Sequence, residues 1–177
     1  MKKSAPLSIH VSVAKQQLTV KRGRKVERTF PISTSKFGLG SEAGSFKTPT
    51  GRFRIAEKIG VGLPIETAFK SRKPVELTPE MLREDDLIMS RILWLDGLDE
   101  QNANTRDRYI YIHGTNQEEE LGRPASHGCI RMHKTDVAEL CDLMDVNAKV
   151  LIAEDKSLGR KKKKARKALR RQSDLPK

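Results

Sequence analysis

Two short runs hold most of the reactive side chains of this sequence: Tyr111-Ile112-His113-Gly114-Thr115 and Ser126-His127-Gly128-Cys129-Ile130-Arg131-Met132. Between His113 and His133, a span of 21 residues, lie three of the four histidines and one of the two cysteines. A cysteine between a glycine and an apolar residue can sit on a tight turn with its sulfur exposed. Backbone N–H groups there favour the thiolate and, later, an oxyanion. A histidine at the end of a rigid strand is placed to accept the thiol proton, and Gly114 beside it frees a backbone carbonyl for the other imidazole nitrogen. No acid close in sequence is evidently dedicated to orienting that ring. The chemistry expected from this set is nucleophilic catalysis, with Cys129 as nucleophile and His113 as base.

Three other readings use the same residues. A structural zinc site could draw on His113, His127, Cys129 and His133, although a single cysteine in a His-x-Cys spacing is unlike the paired knuckles of such sites. His127 and His133 could be ordinary surface or core histidines, and for His133 that is the favoured reading. Cys129 could also be a buried, inert thiol, the usual state of a free cysteine.

The elements that would position these residues are mostly strands. Leu7, Ile9, Val11 and Val13 alternate with polar residues, and Leu18-Thr19-Val20 resumes the pattern, so a hairpin opens the chain. Lys21–Arg24 reads as a turn, and strands are expected at Val26–Ile32, Phe53–Ile59, Leu87–Leu95, Tyr109–His113 and Val150–Ala153. The Gly-, Ser- and Thr-rich stretch 34–51 is a long loop, of a length uncommon in compact domains unless functional. Thr78-Pro79-Glu80 looks like the start of a short helix ending at Glu84. The segment after Cys129 is compatible with a helix, and past Met132 the period changes. Val137, Leu140, Cys141 and Met144 fall at helical spacing, with Thr135 as the expected N-cap. Cys141 lies on the apolar face of that helix and reads as a buried reduced thiol. The fold class expected is mainly β, with one or two short helices packed on the sheet.

The run from His113 to Met132 resembles the signature of the YkuD-type L,D-transpeptidases: a His-Gly near a strand end, then Ser-His-Gly-Cys with an arginine two residues on. His113 and Cys129 stand 16 positions apart, as that pattern allows. The resemblance extends to Ser33-Thr34, to Lys47-Thr48-Pro49-Thr50-Gly51-Arg52-Phe53 and to Arg91-Ile92-Leu93-Trp94-Leu95, so it covers roughly residues 7–153. It implies a β-sandwich fold and a cysteine enzyme acting on the peptide stem of bacterial peptidoglycan. Cys129 would attack the carbonyl of a diamino acid and form a thioester, with His113 as base, oriented by the carbonyl of Gly114. His127 would line the site, and the N–H groups of Gly128 and Cys129 would form the oxyanion hole. Ser126, Arg131, Tyr111, Thr48 and Gly51 would contact substrate or wall the cleft. Arg131 would pair with a substrate carboxylate or brace its loop. No metal or cofactor is required.

Charge separates the chain into two parts. The net charge is +12, but residues 156–177 carry eleven Lys and Arg against the single acid Asp174, which leaves the body, 1–155, at only +2. The expected organisation is a catalytic domain over 1–155 and a basic, flexible tail over 156–177. Such a tail could approach nucleic acid or anionic lipid, yet it lacks the interleaved aromatics of a single-strand reader, and a solvated terminus is the preferred reading. The start of the sequence is positively charged but has no continuous apolar run, since Ser8, His10, Ser12 and Lys15 interrupt it. The compartment expected is therefore the cytoplasm, with a periplasmic location as the alternative if a leader has been removed. There, soluble released stem peptides would be the substrates, and hydrolysis to remove terminal D-alanine, as an L,D-carboxypeptidase in peptidoglycan recycling, would be the expected reaction. Cross-linking by transpeptidation is the alternative.

Overall fold

A computed structural model describes residues 5–83 and 86–155. The expected basic tail and Glu84, the expected end of the short helix, lie outside the described residues. The described residues form ten strands: β1 (Leu7–Ser12), β2 (Gln17–Arg22), β3 (Lys25–Pro31), β4 (Gly51–Ile59), β5 (Ala68–Lys70), β6 (Lys73–Val75), β7 (Ile88–Gly97), β8 (Tyr111–Thr115), β9 (Ile130–Met132) and β10 (Lys149–Ala153). One α-helix, α1 (Lys134–Leu143), lies between β9 and β10. The mainly β class with a packed helix is borne out.

The strands run in the order β3-β2-β1-β10-β4-β7-β5-β6, and β8 adds to β7 and carries β9 on its far side. The chain just past β3 then returns to β9. Ser33 and Arg131 exchange two backbone hydrogen bonds of 3.0 and 2.9 Å, so the path from β3 around to β9 closes on itself. Alternate residues of these strands fill one interior. Ile9 and Val11, Leu18 and Val20, Phe53 and Ile55, Leu93 and Leu95, Ile112, Ile130, Val150 and Ile152 share a single apolar cluster with Val137, Leu140 and Cys141 of α1. Period two in the strands and 3.6 in the helix put these residues on the facing surfaces.

Several local expectations needed correction. The strand expected at Tyr109–His113 begins at Tyr111, because Tyr109 has a left-handed backbone (φ 55°) and closes a turn on Arg106 O. The expected helix from Thr78 is one 3₁₀ turn, Met81–Arg83. Thr78 does accept a hydrogen bond from the Met81 N–H at 3.3 Å, but none of Met81–Arg83 is buried against the core to hold a longer helix. The segment after Cys129 is a strand, β9, drawn into the sheet by β8 and Ser33. The cap position of α1 is His133 rather than Thr135; the first helical N–H, that of Lys134, is satisfied at 2.9 Å by the Glu118 carboxylate, a partner remote in sequence. The short hairpin β5–β6 carries no alternating pattern long enough to have been read from sequence.

Candidate active site

Parallel pairing of β8 with β9 matches Ile112 to Ile130 and His113 to Arg131. Both isoleucines point into the core, so by alternation Tyr111, His113, Cys129 and Arg131 share the opposite face. Cys129 and His113 are diagonal cross-strand neighbours there. Cys129, partly open to solvent, packs against the cluster of Phe69, Ile92 and Tyr111.

The loop that presents the thiol is held by hydrogen bonds on both sides. Thr48, fully buried, donates to Gly128 O at 2.9 Å and accepts from the Ser35 N–H at 2.9 Å. Ser126, also fully buried, donates to Cys129 O at 2.6 Å. Gly128 adopts φ +126°, a conformation open to glycine at little cost, just before the nucleophile. Thr48 and Ser126, expected at a substrate surface, therefore brace the loop. The Gly128 N–H, expected in the oxyanion hole, points at Ser126 Oγ at 3.3 Å. Gly51 opens β4 with φ +109°, and a side chain there would strike Asp99 and Asn102; it serves that turn rather than the loop of Cys129.

The thiol sits between two backbone groups. The Tyr111 N–H donates to Sγ at 3.3 Å, and the thiol itself points to Tyr109 O at 3.4 Å. Burial pushes the thiol up to about 12; the Tyr111 N–H and the charges of Arg131 and Arg108 oppose the rise, and the Asp86 carboxylate adds to it. A thiol raised in this way is overwhelmingly protonated at pH 7. Burial likewise holds His113 below its ordinary value of 6.5, against the pull of Asp86 and of the Gly114 carbonyl. The resting pair is a neutral thiol and a neutral imidazole.

His113 Nδ1 lies 2.7 Å from Gly114 O. A carbonyl only accepts, so the proton is on Nδ1 and Nε2 keeps its lone pair. That is the tautomer a base needs. Gly114 is required for a second reason: a Cβ there would lie 2.6 Å from Met89 O and 3.2 Å from Lys134 Cα, between β7 and α1.

The acid that sequence reasoning missed is Asp86, 27 residues before His113. Its carboxylate meets Arg131 Nε at 2.8 Å and His127 Nδ1 at 3.4 Å. Burial alone would raise Asp86. The charges of His113 and Arg131, with hydrogen bonds from Arg131 and His127, outweigh burial and hold it below the ordinary carboxylate value. Nothing in the acidic stretch around Asp85-Asp86 distinguishes it from a solvated turn. Arg131 is 1% exposed and also donates to Gln117 Oε1 at 3.1 Å, so it braces the site from beneath.

His127 stands at the exposed rim, 5.7 Å from the Phe37 ring and 6.1 Å from the Phe46 ring. Tyr111 is buried, its backbone on the thiol and its hydroxyl facing Arg72. His133 pairs with Glu118 at 3.3 Å, away from the set. Among the described residues, no group of three or more His, Cys, Asp or Glu is arranged to hold a metal ion. No described helix is long and apolar enough to cross a membrane.

The sequence matches the YkuD family, described as an L,D-transpeptidase catalytic domain, over residues 6–152. It is 30% identical over 161 residues to YqjB of Bacillus subtilis (strain 168), a protein provisionally named as an L,D-transpeptidase; the match covers 90% of this chain and 78% of that one. An L,D-transpeptidase from Mycobacterium smegmatis has the same fold at TM-score 0.56 and 18% identity, over 84% of this chain and 59% of its own. L,D-transpeptidase 3 from Mycobacterium tuberculosis, solved with a faropenem-derived adduct, aligns at TM-score 0.53 and 17% identity over 84% and 60%. The chain spans about three fifths of the length of these solved structures.

Proposed function

The chain belongs to the YkuD family of L,D-transpeptidase catalytic domains, and on that premise we propose that it cleaves the bond between the diamino acid and D-alanine in peptidoglycan stem tetrapeptides, with Cys129 as nucleophile. The observation that carries this reading is the imidazole of His113, locked by Gly114 O in the tautomer with a free Nε2 and placed diagonally from the thiol. His113 Nε2 takes the thiol proton as Sγ attacks the carbonyl carbon, so that a free thiolate never accumulates. The new C–S bond leaves an oxyanion, which meets the Cys129 N–H. Collapse breaks the C–N bond, the leaving amine takes the proton from His113, and D-alanine departs from a thioester.

Water then resolves the thioester. His113 deprotonates it, hydroxide adds to the acyl carbon, and tripeptide and thiol are released. Water reaches an acyl group on Cys129 because the residue is partly open to solvent. On this reading the protein is an L,D-carboxypeptidase of peptidoglycan recycling. Cytoplasmic residence goes with that reading, since released stem peptides there are trimmed rather than joined, and cell fractionation tests it. Capture of the thioester by the amine of a second stem, a cross-linking reaction, is the second reading; the name of the family and of YqjB favours it.

Incubation with tetrapeptide, with and without an acceptor stem, separates the two by product mass. The expected result is tripeptide and D-alanine with little dimer. Dimer as the main product would replace hydrolysis by cross-linking, and an intact tetrapeptide would overturn the function.

A further inference from the structure

We propose that Arg72 is the anchor for the free carboxylate of the substrate, a subsite that rests on the L,D-acyl transfer assigned above to Cys129. Arg72 occupies the turn of the β5–β6 hairpin. Ser71 and Arg72 are both left-handed there, φ 49° and 65°, a turn that matches strand twist but is normally made by Asn-Gly or similar pairs. Backbone strain of this kind, at a non-glycine pair, is held by its surroundings. The hairpin is fixed to the sheet edge by pairing of Ala68 and Phe69 with Met89 and Ile88 of β7, and Phe69 belongs to the cluster against which Cys129 packs.

The guanidinium is held in place on three sides. Its carbon lies 4.9 Å from the Trp94 ring and 5.0 Å from the Tyr109 ring, and Nη1 donates to the Tyr111 hydroxyl at 3.3 Å. The N–H of that same Tyr111 contacts Cys129 Sγ at 3.3 Å. The charge therefore stands one tyrosine away from the sulfur, clamped by aromatic faces. Among the described residues no carboxylate lies within ion-pair distance of it; Glu57, which acts on its charge from farther off, is paired with Arg106, and the remaining N–H groups of the fork can take a ligand.

The other arginines of the cleft are already occupied. Arg131 is buried on Asp86 and Gln117. Arg108 holds the 40–47 loop through Gly40 O, Ser45 Oγ and Lys47 O. Arg106 pairs with Glu57 at 3.5 Å. In a stem tetrapeptide the terminal carboxylate lies one residue, about 3.8 Å between Cα atoms, beyond the attacked carbonyl. A planar guanidinium that takes this carboxylate binds it in a fork and orients the scissile bond over the thiol.

Two measurements on the wild-type protein, Arg72→Gln and Arg72→Lys test this. The first compares a tetrapeptide bearing a free terminal carboxylate with its carboxamide. Wild type should prefer the acid by roughly tenfold or more in kcat/KM, the worth of hydrogen bonds to a charged group. Arg72→Gln should bring that ratio near one, chiefly through KM, and Arg72→Lys should keep part of it. Equal losses on both substrates would show a merely structural arginine and overturn the proposal. The second compares alkylation of Cys129 by iodoacetate and by iodoacetamide, and needs no knowledge of the substrate. The iodoacetate-to-iodoacetamide rate ratio should fall several-fold in Arg72→Gln, and an unchanged ratio would overturn the anchor even if stem peptides are cut. A ratio that depends on Arg72 in a protein that cuts no stem peptide would uphold the anchor and overturn the function.

Discussion

Replacing Asp86 by asparagine keeps the shape of the side chain and removes the charge that Arg131 and His127 share. Arg131 is 1% exposed, so the substitution takes the carboxylate away from a buried guanidinium that also donates to Gln117. Breaking a buried pair in this way costs about 3–5 kcal/mol. The Asp86 side chain is 31% exposed, which allows water to compensate in part, and a loss of about 2–3 kcal/mol is expected. For a chain of this length that corresponds to a fall of roughly 5–10 °C in melting temperature. The pH dependence has a definite sign. The folded carboxyl is held below its ordinary value, so its stabilisation is complete above the unfolded value and vanishes as pH falls through the folded one. The gap between wild type and Asp86→Asn should thus be wide at pH 7 and close in strong acid. Activity should respond separately. His113 must be neutral to act as a base and already titrates below 6.5, with Asp86 pulling it up. The acid limb of the wild-type rate profile should lie below pH 6.5, and Asp86→Asn should move it lower still. A melting temperature unchanged across pH, together with an unmoved acid limb, would refute the role given to Asp86.

A thiol alkylator applied to the folded protein should label Cys129 and spare Cys141, which is 0% exposed inside the core; peptide mapping reads this directly. The labelling rate should keep rising beyond pH 10, since burial pushes the Cys129 thiol up to about 12, and a plateau near neutral pH would contradict the neutral resting pair. His113→Ala should lower turnover by roughly 10²–10⁴, whereas His133→Ala, which removes only a contact to Glu118, should retain most of it. Gly97→Ala should destabilise the fold by about 3 kcal/mol in a denaturant titration, because a Cβ there would sit 1.9 Å from Asn102 O.

What the sequence made legible was whatever short-range pattern encodes. Alternation at Leu7–Val13 and helical spacing at Val137–Met144 reflect burial of a single face, and both reappear as β1 and α1. The pairing of His113 with Gly114 O was also readable, because it joins adjacent residues. Contacts made across the fold were not. Asp86 reaches the site only because β7 and β8 are neighbours. Thr48 and Ser126 turned out to brace the loop because the 34–50 segment folds back over Gly128. Tyr109 looked like a strand residue by type, yet its left-handed turn is what aims its carbonyl at the thiol. The first residue of α1 is satisfied by Glu118 from another loop, which no local capping rule could supply.

The central claim is that Cys129 carries an acyl group during turnover. Mixing the protein with tetrapeptide, quenching in acid within the first turnovers and mapping the digested protein by mass spectrometry tests it directly. The account predicts a tripeptide-sized thioester on Cys129, labile to hydroxylamine, and no adduct or turnover in Cys129→Ala. Turnover that persists in Cys129→Ala, or an acyl group found on another residue, would contradict it.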